Sequence, residues 1–203
     1  MVNTIQRYYG LNDNTVLDAM FNVPRHWFVP EKFQRAAYAN SPLEIGHEQT
    51  ISQPYIVAFM TSLLELDPND VVLEVGTGSG YQAAVLSEFT PHVYSIEILK
   101  PLAEAAKARL KQRGYDTIRV KCGDGYKGWA EHAPFDAIIV TCAPEHIPSP
   151  LVEQLAPDGK IVIPVGGRYR TQDLLLVTKN SQGRIIKKSM MPVRFVPLTR
   201  EKE

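Results

Sequence analysis

Residues 71–81 of this 203-residue chain read VVLEVGTGSGY, and they constrain the fold more than any other stretch. The apolar run Val71, Val72, Leu73 and Val75 reads as a buried strand rich in β-branched residues. It stops at a loop with glycine at 76, 78 and 80, after which Ala83, Ala84 and Leu86 fall at helical spacing. Glycine is needed where the backbone enters φ > 0 or where a ligand must lie against the main chain. A strand that turns sharply into a helix through such a loop is how doubly wound α/β folds cradle a nucleotide-like cofactor.

From residue 67 onward strand and helix patterns alternate. Strands are predicted at 71–75, 92–97, 117–122, 135–141 and 160–165, with helices at 81–89, 100–113 and 149–155 between them. Gly114 is the expected C-cap of the second of these helices. Such alternation implies a parallel sheet with helices on both faces. The last predicted strands, 174–178 and 184–195, have no clear helix between them and imply an antiparallel edge. Upstream, helices are predicted at 13–23, stopped by Pro24, and at 31–39. A loop follows over 40–53, then a helix entered at Pro54. The expected organisation is one domain over 1–203, with 1–66 as N-terminal helices and a loop and 67–203 as the cofactor-binding α/β core.

With 44% hydrophobic and 22% charged residues the chain can bury a sizeable core. Lys plus Arg equals Asp plus Glu, 22 each, so no overall charge draws it to nucleic acid or an anionic membrane. The N-terminal segment MVNTIQRYYGLNDN lacks a signal-peptide core, and no apolar stretch reaches the roughly 20 residues that span a bilayer. Cys122 and Cys142 both sit in apolar, strand-like runs and read as two buried reduced thiols. They have no His or Cys at ligand spacing, so no metal site is expected. A cytoplasmic globular protein is expected.

Two cofactor readings compete at the loop. Gly78-Ser79-Gly80-Tyr81-Gln82-Ala83 fits the dinucleotide fingerprint G-x-G-x-x-A, with Glu97 near the distance at which an acid holds ribose hydroxyls. Alternatively Glu74-Val75-Gly76-Thr77-Gly78-Ser79-Gly80 reads as the E-x-G-x-G-x-G of S-adenosylmethionine-dependent methyltransferases. A carboxylate before the first glycine suits the ammonium and sulfonium of that cofactor and opposes a diphosphate. Asp124, at the end of the third core strand, can accept from an adenine amine, and Gly125 lets the ring approach. Thr141-Cys142-Ala143-Pro144 falls beside the same crevice.

Beyond the loop, the chain resembles the protein-L-isoaspartate O-methyltransferase family over roughly residues 13–199. The resemblance is carried by Gln49-Thr-Ile-Ser-Gln-Pro54, similar to the family's substrate loop, by Phe135–Thr141 and Ile163–Gly166, and by the C-terminal signature Val193-Arg-Phe-Val-Pro-Leu198. One departure is Glu48, where the family usually has glycine; a glutamate fits poorly if that site needs φ > 0. The resemblance implies a seven-stranded, Rossmann-like class I methyltransferase fold. It implies methyl transfer from S-adenosylmethionine to the free α-carboxylate of L-isoaspartyl residues, which initiates repair through a succinimide. Isoaspartyl proteins and peptides are the implied substrates, with no nucleic acid, no membrane and no metal, and a monomer is expected.

By the same resemblance Ser52 is the catalytic serine, with Thr50, Ile51 and Val196 at the substrate. Gln53 and Thr199 join Glu74, Gly76, Thr77, Gly78, Ser79, Gly80, Glu97, Asp124 and Gly125 at the cofactor. His47 is a candidate loop contact. A carboxylate nucleophile is ionised at neutral pH and needs no general base. The chemistry therefore asks for positioning, and a neutral hydroxyl suits it better than a cation that would repel the sulfonium. Ser52 also stands where a cap for the helix starting at Pro54 would stand, and sequence alone does not separate the two roles. A methyltransferase of a small molecule or RNA, a nicotinamide-dependent oxidoreductase and a non-catalytic binding module are the alternatives.

Overall fold

In the computed structural model, residues 1–167 and 170–200 are described. The chain opens with helices α1 (Val2–Tyr9) and α2 (Asn14–Asn22), then short 3-10 turns at Arg25–Phe28 and Glu31–Ala36. Next come β1 (Leu43–Gly46), β2 (Gln49–Ile51) and α3 (Pro54–Ser62). The core runs β3 (Val72–Val75), α4 (Tyr81–Ser87), β4 (Val93–Glu97), α5 (Lys100–Gln112), β5 (Arg119–Cys122) and β6 (Phe135–Val140). It ends with α6 (Ser149–Glu153), β7 (Leu155–Val165), β8 (Gln172–Lys179) and β9 (Ile185–Val193).

Strands β3 to β9 form one sheet in the order β5-β4-β3-β6-β7-β8-β9. Pairing is parallel from β5 through β7 and antiparallel for β7–β8 and β8–β9, so the implied antiparallel edge is present. Central strands are mostly apolar because both faces are covered, with Glu74 of β3 and Ser95 of β4 as buried polar residues among them. Leu73, Val75, Ile138 and Val140 pack into the core on one face, while Val72, Ala137 and Ile139 pack on the other. The strand order reverses between β3 and β6. The crevice at their carboxyl ends is therefore the ligand position expected of a doubly wound sheet.

Several local features differ from the sequence expectations. Helix α1 has no counterpart in the predicted pattern, and residues 31–39 hold a 3-10 turn rather than an α-helix. The helix entered at Pro54 ends at Ser62, and β7 begins five residues before the predicted 160. Cys122 is exposed, because β5 is an edge strand with one uncovered side; only Cys142 is buried. The 40–53 loop contains the antiparallel β1–β2 hairpin. Its two-residue turn, His47-Glu48, has both residues at φ > 0, 52° and 58°. Two-residue hairpins favour this left-handed geometry because it matches strand twist, and they normally fill it with Asn-Gly. Glu48 thus occupies a conformation that costs a residue with a Cβ about 1–2 kcal/mol. Glu48→Gly is expected to stabilise the protein by about 0.5–1 kcal/mol, after the entropy of glycine is subtracted. Thermal unfolding of the two proteins side by side checks this.

Candidate active site

The glycine loop connects β3 to α4 at the crevice. Gly76 has φ 100°, and a Cβ there would lie 2.4 Å from Thr141 Oγ1 at the end of β6. Thr141 donates from that hydroxyl to the Gly76 carbonyl at 2.7 Å, which locks the two strand ends together. At Gly125 the requirement is space alone, since a Cβ would stand 2.4 Å from Val75 Cγ1. At both positions glycine lets the main chain pack tightly on a strand tip, Gly76 against Thr141 after β6 and Gly125 against Val75 of β3.

Glu74 is fully buried under the loop. Ser95 Oγ donates to its Oε2 at 2.5 Å, and Ser95 Oγ lies 2.5 Å from Thr77 Oγ1. A serine hydroxyl has one proton, so when Ser95 donates to Glu74 it accepts from Thr77. The other oxygen, Oε1, is buried with no hydrogen-bond partner among the described residues. Burial pushes the Glu74 pKa up from 4.5 to about 8; the Ser95 bond opposes this and nearby Glu97 adds to it. Burial therefore favours the protonated form of Glu74 near neutral pH. Its pKa lies above that of an unfolded glutamate, so folding takes up a proton between these values. The associated stability is fully present below about pH 4.5 and is lost as pH rises through about 8. In Glu74→Gln this loss is absent. The melting temperature of unliganded wild type should fall more between pH 6 and pH 9 than that of the variant.

Glu97 is nine-tenths buried at the tip of β4 and accepts from Gly78 N at 2.8 Å and Leu99 N at 3.0 Å. It pins the loop to β4. It also lines a small cavity of about 60 Å³ with Gly76, Gly78, Leu99, Gly125 and Thr199. A second small cavity, about 30 Å³, lies between Glu74, Thr77, Ser79 and Tyr81 on one side and Thr50, Ile51 and Ser52 on the other. Asp124 borders neither of these two. Its Oδ1 accepts from Tyr126 N at 2.9 Å, and its Oδ2 is 3.7 Å from Arg200 Nε.

Ser52 joins this inner space to an outer cavity of about 470 Å³, which Thr50, Gln53, Tyr9, Tyr55 and Phe195 also line. Val196 lines an adjoining groove with Thr50 and Arg194. Gln53 faces the outer cavity and not the glycine loop, and its amide donates to the Asn40 carbonyl at 3.1 Å. Helix α3 is capped from a distance: Tyr55 N donates to Asn40 Oδ1 at 2.9 Å, and no side chain at the N-cap position itself bonds the helix. Among the described residues, the Ser52 hydroxyl makes no hydrogen bond to protein. His47 is in the hairpin turn, and its carbonyl accepts from Gln49 Nε2 at 3.3 Å. Asn40, Ser95 and Leu99 were not singled out by the sequence. Leu99 follows the strand-tip acid by two residues, the one signal that could have found it. Among the described residues no group of three or more His, Cys, Asp or Glu side chains is placed to hold a metal ion. No helix there is long and apolar enough to cross a membrane.

A doubly wound sheet with a glycine loop, strand-tip acids and a serine facing the crevice defines a Rossmann-like protein built to bind a nucleotide-like cofactor. The sequence profile of the protein-L-isoaspartate(D-aspartate) O-methyltransferase family matches residues 1–203, and the chain belongs to that family. A Gloeobacter violaceus protein-L-isoaspartate O-methyltransferase is 52% identical over 202 residues, covering 100% of this chain and 98% of that protein. Protein-L-isoaspartate O-methyltransferase 2 of Syntrophobacter fumaroxidans is 59% identical over 187 residues, 92% of this chain and 76% of its own length. Among solved structures, a Plasmodium falciparum protein-L-isoaspartate O-methyltransferase in complex with S-adenosyl-L-homocysteine superposes with TM-score 0.85. It is 28% identical, with 98% of this chain and 97% of that one covered.

Proposed function

We propose that this protein methylates the free α-carboxylate of L-isoaspartyl residues in damaged proteins and peptides, using S-adenosylmethionine. The observation that carries the assignment is Ser52: its hydroxyl has no protein partner among the described residues, and with Thr50 it lines both the outer cavity and the glycine-loop cavity. Family membership favours S-adenosylmethionine over a dinucleotide at the glycine loop.

The residues fit that cofactor. Glu74 Oε1 is a buried oxygen without a partner, bordering the inner cavity, and suits an ammonium group. A cation there lowers the Glu74 pKa and favours the ionised acid. Glu97 keeps unused lone pairs toward the cavity it lines and suits ribose hydroxyls. Gly125 and Leu99 offer a partly apolar seat for a flat ring, with Thr199 beside them in the same cavity. When bound, S-adenosylmethionine supplies an activated methyl group on a good leaving group.

The protein's part is positioning. The isoaspartyl α-carboxylate has a reference pKa near ~3.5, so it arrives ionised and needs no base. Ser52 donates one hydrogen bond to it and turns its second oxygen inward, while Thr50, Ile51 and Val196 hold the peptide backbone. Holding nucleophile and methyl at near-attack geometry can lower the barrier by roughly 7–11 kcal/mol. The outer cavity accepts an extended peptide, and the product ester closes to succinimide without the enzyme. The two unpaired cysteines accord with a reducing, cytoplasmic setting. The test is methyl incorporation into matched peptides that differ only in an isoaspartyl or aspartyl linkage. Incorporation is expected in the isoaspartyl peptide alone; equal labelling, or none in either, overturns the assignment.

A further inference from the structure

Arg25 is the only Lys or Arg buried among the described residues, at 0% exposure. It opens the 3-10 turn after Pro24. Its Nε donates to the Ala37 carbonyl at 2.9 Å and its Nη2 to the Ser52 carbonyl at 2.7 Å. The guanidinium lies over the ring of Tyr81, 4.9 Å from the centroid, and Tyr81 is the first residue of α4, directly after the glycine loop. Its Nη1 has no hydrogen-bond partner among the described residues. Burial lowers its pKa to about 10, against the influence of Tyr81, so it stays charged at neutral pH.

A buried cation without a counter-charge costs several kcal/mol, and an apolar residue of similar size would pack there at lower cost. What an apolar residue cannot do is join three segments at once. The Ser52 carbonyl bond fixes the peptide plane that follows Ser52. The serine hydroxyl makes no bond of its own to the protein, so the backbone is what aims it. The same guanidinium rests on the helix that begins at the cofactor loop.

We propose that Arg25 is a positioning residue for methyl transfer: by holding the Ser52 carbonyl against the start of α4, it sets the direction of the Ser52 hydroxyl relative to the cofactor cavity. This rests on the reading of Ser52 given above. The test is a double-mutant cycle with Arg25→Lys and Ser52→Ala, assayed on an isoaspartyl peptide, with S-adenosylhomocysteine affinity measured by calorimetry in each variant. Lysine keeps the charge but cannot reach both carbonyls in the same fork. Arg25→Lys is expected to lower kcat tenfold or more while affinity for S-adenosylhomocysteine changes less than threefold. In the Ser52→Ala background the same change should cost less than a further twofold, because residues that act through one another are not additive.

An equal loss in both backgrounds overturns the proposal, as does Arg25→Lys with kcat within twofold of wild type. Wild-type turnover in Ser52→Ala alone is a different result: it removes the Ser52 reading first, and the proposal with it. If Arg25→Lys does not fold, Arg25→Gln takes its place in the cycle. Failure of both variants to give protein that binds S-adenosylhomocysteine assigns Arg25 to stability alone and also overturns the proposal.

Discussion

Ser52→Ala is expected to lower kcat on an isoaspartyl peptide by about 10²-fold, the scale seen when a group that orients a reacting atom is lost. Stability should barely change. The hydroxyl makes no bond that the fold depends on, because Asn40 supplies the cap of α3. Removing an ordinary capping serine would instead cost about 1 kcal/mol and leave kcat alone. Comparing kcat with melting temperature therefore separates the two roles. A variant that turns over like wild type but melts several degrees lower would mark Ser52 as a cap.

The second large effect is at Gly76. Alanine there must adopt φ near 100° and bring its Cβ to 2.4 Å from Thr141 Oγ1. The backbone strain alone costs about 1–2 kcal/mol. Relieving the clash also requires Thr141 to give up its bond to the Gly76 carbonyl. Together these should destabilise Gly76→Ala by about 3 kcal/mol or more, a fall of roughly 6–12 °C in melting temperature for a chain of this size. Because the same residue lines the cavity beside Glu97, affinity for S-adenosylhomocysteine should fall at least 100-fold. Calorimetry below the melting point reads the two losses separately, and near-normal affinity would place the cofactor elsewhere.

The glycine loop and central strands were legible because their physical demands write directly into residue type. Positive φ calls for glycine, and a strand buried on both faces has no polar alternation. The β1–β2 hairpin was illegible for the opposite reason. Its strands are four and three residues long, and its turn is filled by His47 and Glu48, so the only hint of left-handed backbone was the family's glycine at position 48. Cys122 misled because an apolar run does not reveal that its strand lies at the sheet edge. The protonation state of Glu74 depends on burial from all sides, which spacing does not encode. Arg25 is the extreme case, since an arginine in sequence reads as surface until the fold encloses it. Ser52 was ambiguous because a cap and a substrate donor both need a hydroxyl just before a helix. Asn40, twelve residues earlier, resolves it only in three dimensions.

Asn40 carries a chemical liability of its own, since asparagine before serine is a bond along the chain where ageing begins. Succinimide closure needs the Ser41 nitrogen to reach the Asn40 side-chain carbon. Here Asn40 Oδ1 is held by Tyr55 N, and the Ser41 N–H donates to the Ala39 carbonyl at 2.8 Å. The bond to Ala39 thus keeps the attacking nitrogen occupied, and the bond that starts α3 holds the side-chain amide in place. While folded, the protein is guarded at this position against the lesion its family repairs; once unfolded, it becomes a candidate for its own attention.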